Sequence, residues 1–129
     1  MDRINQRKIR PNASLLEAMK KMDTIGVKTL LVFDDDKFIG LLTIGDIQRA
    51  IIKGTNLSSS ILTILDKNKI YASIFDSQEV IQNNMKMLRA ECMPVLDQNN
   101  ELVDVLFWKD IFLNDDSNQR EKIDLPVVI

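Results

Sequence analysis

Histidine is absent from the 129 residues, and Cys92 is the only cysteine. Those two facts exclude His-based catalytic triads, zinc sites with the usual ligand sets and any internal disulfide. A catalyst built on this chain has carboxylates, lysines and hydroxyls to work with. Aromatic residues make up 5% and the formal charge is −2, with acids and bases interspersed. That leaves neither a stacking platform nor a basic groove, so nucleic acid is not an expected partner. No apolar run approaches the roughly 18 residues of a membrane helix, and the start, MDRINQRKIRPN, has no apolar signal core. No membrane partner is expected, and a single cysteine makes the cytoplasm the default compartment.

What is present is an ordinary globular composition. At 45% hydrophobic, 129 residues fill one domain, or two small ones sharing a core. Cys92 lies in the apolar run ECMPVL without a base partner in sequence, and reads as a buried core thiol. Arg3, Arg7, Lys8 and Arg10 read as a solvated basic arm.

The chain repeats itself. TLLVFDDDKFIGLLTIGDI, Thr29 to Ile47, aligns without a gap on MPVLDQNNELVDVLFWKDI, Met93 to Ile111, at an offset of 64 (93 − 29). Each copy is an apolar run, a polar turn, a second apolar run and a terminal Asp-Ile, which predicts a hairpin of two short strands. Asp34, Asp35 and Asp36 read as turn residues rather than cation ligands, because their counterparts are Gln98, Asn99 and Asn100.

Helical segments precede both hairpins. Ser14 and Glu17 form a capping box, Leu15, Leu16, Met19 and Met22 share one face, and Gly26 ends the helix. Asp76 and Glu79 offer the second start signal, with Ile81, Met85 and Leu88 inward; here the offset is 63, which places an extra residue before the second hairpin. Short helices are expected after each hairpin, DIQRAIIKG with Ile47, Ala50 and Ile51 inward and Gly54 as a stop, and DIFLN with Ile111 and Phe112 apolar. Between the units come a loop, TNLSSS, the apolar ILTIL and a strand-like KIYAS. Each unit is therefore a β-α-β-β-α repeat.

From Pro11 to about Leu113 the pattern resembles a tandem CBS domain pair, a Bateman module. LLVFDDDKFIGLLTIGDI and MPVLDQNNELVDVLFWKDI carry the resemblance, with Gly40, Thr43, Gly45 and Asp46 matching best in the first repeat. The resemblance implies an α+β fold, α/β-like in its local order, of two CBS repeats packed with pseudo-two-fold symmetry. It divides the chain into residues 1–54 (arm and first repeat), 55–113 (linker and second repeat) and 114–129 (polar linker and the first strand of a further domain). It also implies a regulatory role without catalysis or a required cofactor. AMP, ADP, ATP or S-adenosylmethionine would bind in clefts between the repeats, in a module that commonly dimerises. Asp46 would accept from ribose hydroxyls, Thr43 would meet ribose or phosphate, and Gly45 would let the backbone approach.

Read from spacing alone, Thr43 and Asp46 are also a helix N-cap with an acid in the first turn, and the two roles are compatible. In the second repeat Asp110 is retained, but Phe107 replaces Thr43, Asp104 replaces Gly40, and Trp108 and Lys109 replace Ile44 and Gly45. One competent cleft is expected, on the first repeat. Asn114 to Asp124 is polar, and the chain then reads LPVVI, Leu125 to Ile129. That ending resembles the first strand of a sugar-phosphate nucleotidyltransferase, which implies a regulatory piece of a longer enzyme with a C-terminal catalytic domain. The alternative is a structural or dimerising module with vestigial ligand sites. No glycine-rich phosphate loop or nucleophile with a base supports an independent enzyme.

Overall fold

The computed structural model describes residues 3–113, so the readings placed on residues 114–129 lie outside the described residues. It divides into two compact units after Ile70. The division falls later than Gly54 because the loop after that glycine is bonded to the first unit. Leu15 N donates to the Ser59 carbonyl at 3.0 Å, Ile61 N donates to the Ala13 carbonyl at 2.8 Å, and Ile61 is fully buried.

The first unit begins with the turn of helix α1 (Arg3–Gln6) and strand β1 (Lys8–Ile9), then α2 (Leu15–Ile25), β2 (Thr29–Asp34), β3 (Lys37–Thr43) and α3 (Ile44–Ile52). A 3-10 turn spans Ile61–Ile64. β1 pairs parallel to β2 and β2 antiparallel to β3. Parallel pairing requires a crossover, which α2 supplies. Both bonds of the α2 capping box form: Glu17 N donates to Ser14 Oγ at 3.0 Å and Ser14 N to Glu17 Oε1 at 3.3 Å. Gly26, at φ 72°, ends the helix in the left-handed region that glycine enters without a Cβ penalty.

Leu15, Ala18 and Met22 of α2 meet Leu30, Val32 and Leu42 of the sheet and Ile47 and Ala50 of α3. Fully burying a Leu or Ile side chain contributes about 1.5–3 kcal/mol, so this cluster is what holds the helices to the sheet. Leu16 and Ile51, expected inward, are 41% and 43% exposed, each lying one position off the buried stripe. The basic start is a solvated arm only in part: Arg3 and Arg10 are exposed, but Arg7 and Lys8 are not. Arg7 is buried and donates from Nη1 to the Thr29 carbonyl at 3.0 Å, and Lys8 Nζ sits 4.5 Å above the Phe33 ring. Pairing of β1 with β2 draws these stems across apolar surface.

The second unit repeats the order: β4 (Ala72–Ser73), α4 (Gln78–Leu88), β5 (Cys92–Leu96), β6 (Leu102–Phe107) and a five-residue turn with π spacing, Lys109–Leu113. Strand pairing is again parallel, then antiparallel. Ala72, Ile81, Met85, Met93, Val95 and Phe112 form its core. Cys92 is buried, as expected, whereas Leu88 is 45% exposed. Of KIYAS only Ala72 and Ser73 are strand.

Two details correct the expected alignment. Helix α4 starts at Ser77, whose Oγ accepts from Val80 N at 3.2 Å. Asp76 is instead turned back, its Oδ2 accepting from Ser73 N at 2.9 Å. Helix bounds and strand pairs then place α2 on α4, and β2 on β5, at 63 (77 − 14 for the caps), and β3 on β6 at 64 (107 − 43). The additional residue therefore sits inside the second hairpin turn, not ahead of the hairpin. Only Asp35 and Asp36 separate Asp34 from its partner Lys37, whereas Asp97 N donates to the Glu101 carbonyl across Gln98, Asn99 and Asn100. Asp35 and Asn100 supply the positive φ that each turn needs, 54° and 63°.

Candidate functional site

The first unit brings Thr43, Gly45 and Asp46 together where β3 runs into α3. Thr43 is the N-cap in extended backbone, and the box with Asp46 is complete. Asp46 N donates to Thr43 Oγ1 at 3.1 Å, and Thr43 N donates to Asp46 Oδ2 at 2.9 Å. The capping reading is therefore satisfied in full, and it fixes the rotamer of the carboxylate.

Capping is not all that Asp46 does. Its side chain is 3% exposed, and two cations close on it. Arg49 Nη2 donates to Oδ1 at 2.7 Å, while Lys69 Nζ lies 3.0 Å from Oδ1 and 2.9 Å from Oδ2. Burial alone pushes the Asp46 carboxyl up. The Thr43 backbone N–H, the Lys69 hydrogen bond and charge, and the Thr43 side chain outweigh it, so the group is held below its ordinary value of 3.8. Asp46 is an ionised, nearly buried acceptor at neutral pH.

Gly45 keeps this arrangement open. A Cβ there would lie 3.3 Å from Arg49 Nη1 and 3.6 Å from Thr43 Oγ1, so the space that its hydrogen leaves is taken by the guanidinium. Gly40 acts on the neighbouring wall, where a Cβ would come within 3.0 Å of Leu65 Cδ2. Leu65 lines a cavity of about 380 Å³ whose other walls include Asp46, Arg49, Lys53, Thr63 and Asp66. That volume is in the range of small-ligand sites, and charged and hydroxyl side chains are among its lining.

The corresponding position of the second unit is built differently. Trp108 N donates to the Glu91 carbonyl at 2.9 Å, as Ile44 N does to the Lys28 carbonyl at 2.9 Å, so the backbone repeats. The side chains do not. Phe107 is buried where Thr43 caps, the Trp108 and Phe112 rings pack with centroids 4.2 Å apart, and Asp110 is exposed on the five-residue turn.

Sequence reasoning did not single out Arg49 or Lys69. Arg49 was within reach, since an i,i+3 acid–base pair on a helix is a local signal. Lys69 lies 23 residues beyond Asp46 and has no local signal at all. No helix among the described residues is long and apolar enough to cross a membrane.

Residues 6–53 match the CBS domain family model. The chain is 25% identical to a crystal structure of a CBS domain, with a TM-score of 0.68 over 84% of this chain and 85% of that one. It has a TM-score of 0.64 and 19% identity to a CBS domain protein of Pyrobaculum aerophilum complexed with AMP, over 81% of this chain and 82% of that one. It is also 28% identical, over 82 residues, to a homoserine O-acetyltransferase of Methanococcus vannielii, a match that covers 63% of this chain and 17% of that protein.

Proposed function

We propose, from the match of residues 6–53 to the CBS domain model and the likeness of the fold to CBS-domain structures, that the chain is a regulatory module whose first unit senses an adenosine nucleotide at Thr43, Gly45 and Asp46. The observation that carries this reading is Asp46 itself: a buried carboxylate, ionised and fixed in orientation, beside a polar cavity. Such a group accepts from two adjacent ribose hydroxyls, and the α3 N-terminus beside it favours phosphate. A protein of the same fold complexed with AMP supports the choice of ligand class. Occupancy transmits a signal through whatever difference in affinity the ligand has for two conformations of the module.

Asp110, on an exposed aromatic-flanked turn, is left as an auxiliary contact, and one competent site per chain belongs to the proposal. So do homodimerisation, a cytoplasmic location and an attached C-terminal catalytic domain. Identification of that domain as a sugar-phosphate nucleotidyltransferase rests on Leu125 to Ile129 and the order of the segments before them, and the similar proteins lend it no support.

The test is thermal melting against AMP, ADP, ATP and S-adenosylmethionine, on the wild type and Asp46→Ala. A ligand at 100 times its dissociation constant adds about 2.7 kcal/mol to stability, and the mutant should lose the shift. One observation favours a second reading, a dimerising scaffold with a vestigial site: protein donors already saturate Asp46, while Ile51 and Ile52 of α3 stand 43% and 83% exposed. That reading predicts a dimer by light scattering and no shift with any of the four ligands.

A further inference from the structure

Every acceptor position that Asp46 presents toward its neighbours is in use. Oδ2 accepts from Thr43 N at 2.9 Å, Oδ1 accepts from Arg49 at 2.7 Å, and the Lys69 ammonium sits astride both oxygens. A ligand that offers two hydroxyls to this carboxylate must therefore displace a cation. Arg49 is 64% exposed and swings into water at little cost. Lys69 is different, with a side chain 15% exposed. A second acid, Asp66, stands 3.9 Å away, beyond hydrogen-bond distance, and is 46% exposed. An ammonium moved off its carboxylate in a mostly buried place needs a new anion.

The local charge points the same way. Asp46, Arg49, Lys53 and Asp66 line the cavity and Lys69 sits on Asp46, which makes three cations against two carboxylates. A sugar is neutral, so it leaves that excess in place while taking the acceptor oxygens that Lys69 uses.

Resting on the nucleotide reading above, we infer that Lys69 is the specificity-determining residue of this site and selects a ribose that carries a phosphate. A phosphorylated nucleoside exchanges both halves of the ion pair: its hydroxyls replace the ammonium on Asp46, and its phosphate replaces Asp46 for the ammonium. Adenosine supplies only the first exchange and leaves Lys69 with the 3.9 Å ion pair to Asp66 and no anion in place of its direct contact with Asp46. S-adenosylmethionine supplies the same hydroxyls but places a sulfonium cation next to the sugar, which adds like-charge repulsion. The site therefore takes AMP-like anions and rejects the neutral and cationic adenosine compounds.

Calorimetric titration of AMP, adenosine and S-adenosylmethionine into the wild type, Lys69→Met and Lys69→Arg tests this. A charge-assisted hydrogen bond predicts AMP about tenfold or more tighter than adenosine in the wild type. Lys69→Met should bring the two within about threefold, by weakening AMP and relieving adenosine, and Lys69→Arg should keep the AMP preference. If adenosine or S-adenosylmethionine binds the wild type as tightly as AMP, or Lys69→Met retains the full preference, the selectivity inference falls while the nucleotide site stands. If none of the three ligands binds the wild type, both fall together.

Discussion

The two units share one backbone plan and diverge at one corner. In both, a parallel strand, a helix and an antiparallel hairpin occur in the same order, and the first residue after the hairpin makes the same 2.9 Å backbone bond to the residue ahead of the hairpin. After that, the first unit runs into a nine-residue helix with a complete capping box, and the second into a five-residue π turn. Thr43 against Phe107 accounts for much of the difference. A hydroxyl accepts the third N–H of the helix, whereas a phenyl ring accepts nothing and packs inward. The fold tolerates either solution, and only the first leaves a buried carboxylate facing a cavity.

The strongest way to break this comparison is to remove each aspartate in turn. Asp46→Ala strands Lys69 and deletes the box, and it should cost about 2–3 kcal/mol in urea unfolding after allowance for the exposure of Arg49. Asp110→Ala, on the exposed turn, should stay within about 0.5 kcal/mol. Equal costs would mean that the two corners are energetically alike.

Acid sharpens the same contrast. Because the folded-state Asp46 carboxyl is held below 3.8, its contribution to stability is fully present above that value and is lost as pH falls through the folded-state value. The stability gap between the wild type and Asp46→Asn should therefore be constant from about pH 7 to pH 5 and close toward pH 3. A gap that does not change over that range would contradict the assigned ionisation.

A third contrast lies at the helix ends. Gly26 closes α2 at φ 72°, but its counterpart Arg89 closes α4 at φ 52°, where a Cβ is strained. Arg89→Gly should stabilise the second unit by about 0.5–1 kcal/mol, and Gly26→Ala should destabilise the first by about as much. Smallest is the missing half of the α4 box. Val80 stands where Glu17 stands and is 44% exposed, so Val80→Glu should add about 0.5 kcal/mol by bonding back to Ser77 N. Both are read from melting curves.

These contrasts also mark how far the sequence could be read. The hairpins, the Ser14 box, the Gly26 cap and the Thr43–Asp46 pair were legible because each is a local pattern with a short-range cause. The α4 start was misplaced by one residue because Asp76 and Ser77 are both able caps, and only the pull of Ser73 N on Asp76 separates them. The extra turn residue was invisible in a run of Asp, Asn and Gln, where any register looks alike. The charge of Arg7 predicts a solvated side chain, and its burial follows from the pairing of β1 with β2. Lys69 defines the chemistry of the site, yet nothing near it in sequence points to Asp46.

The central claim is that one corner of this chain takes a nucleotide and the other does not. Equilibrium titration of AMP into the wild type, Asp46→Asn and Asp110→Asn tests it directly. The account predicts one AMP per chain, abolished by Asp46→Asn and unchanged by Asp110→Asn. Binding that survives Asp46→Asn and disappears with Asp110→Asn would contradict it.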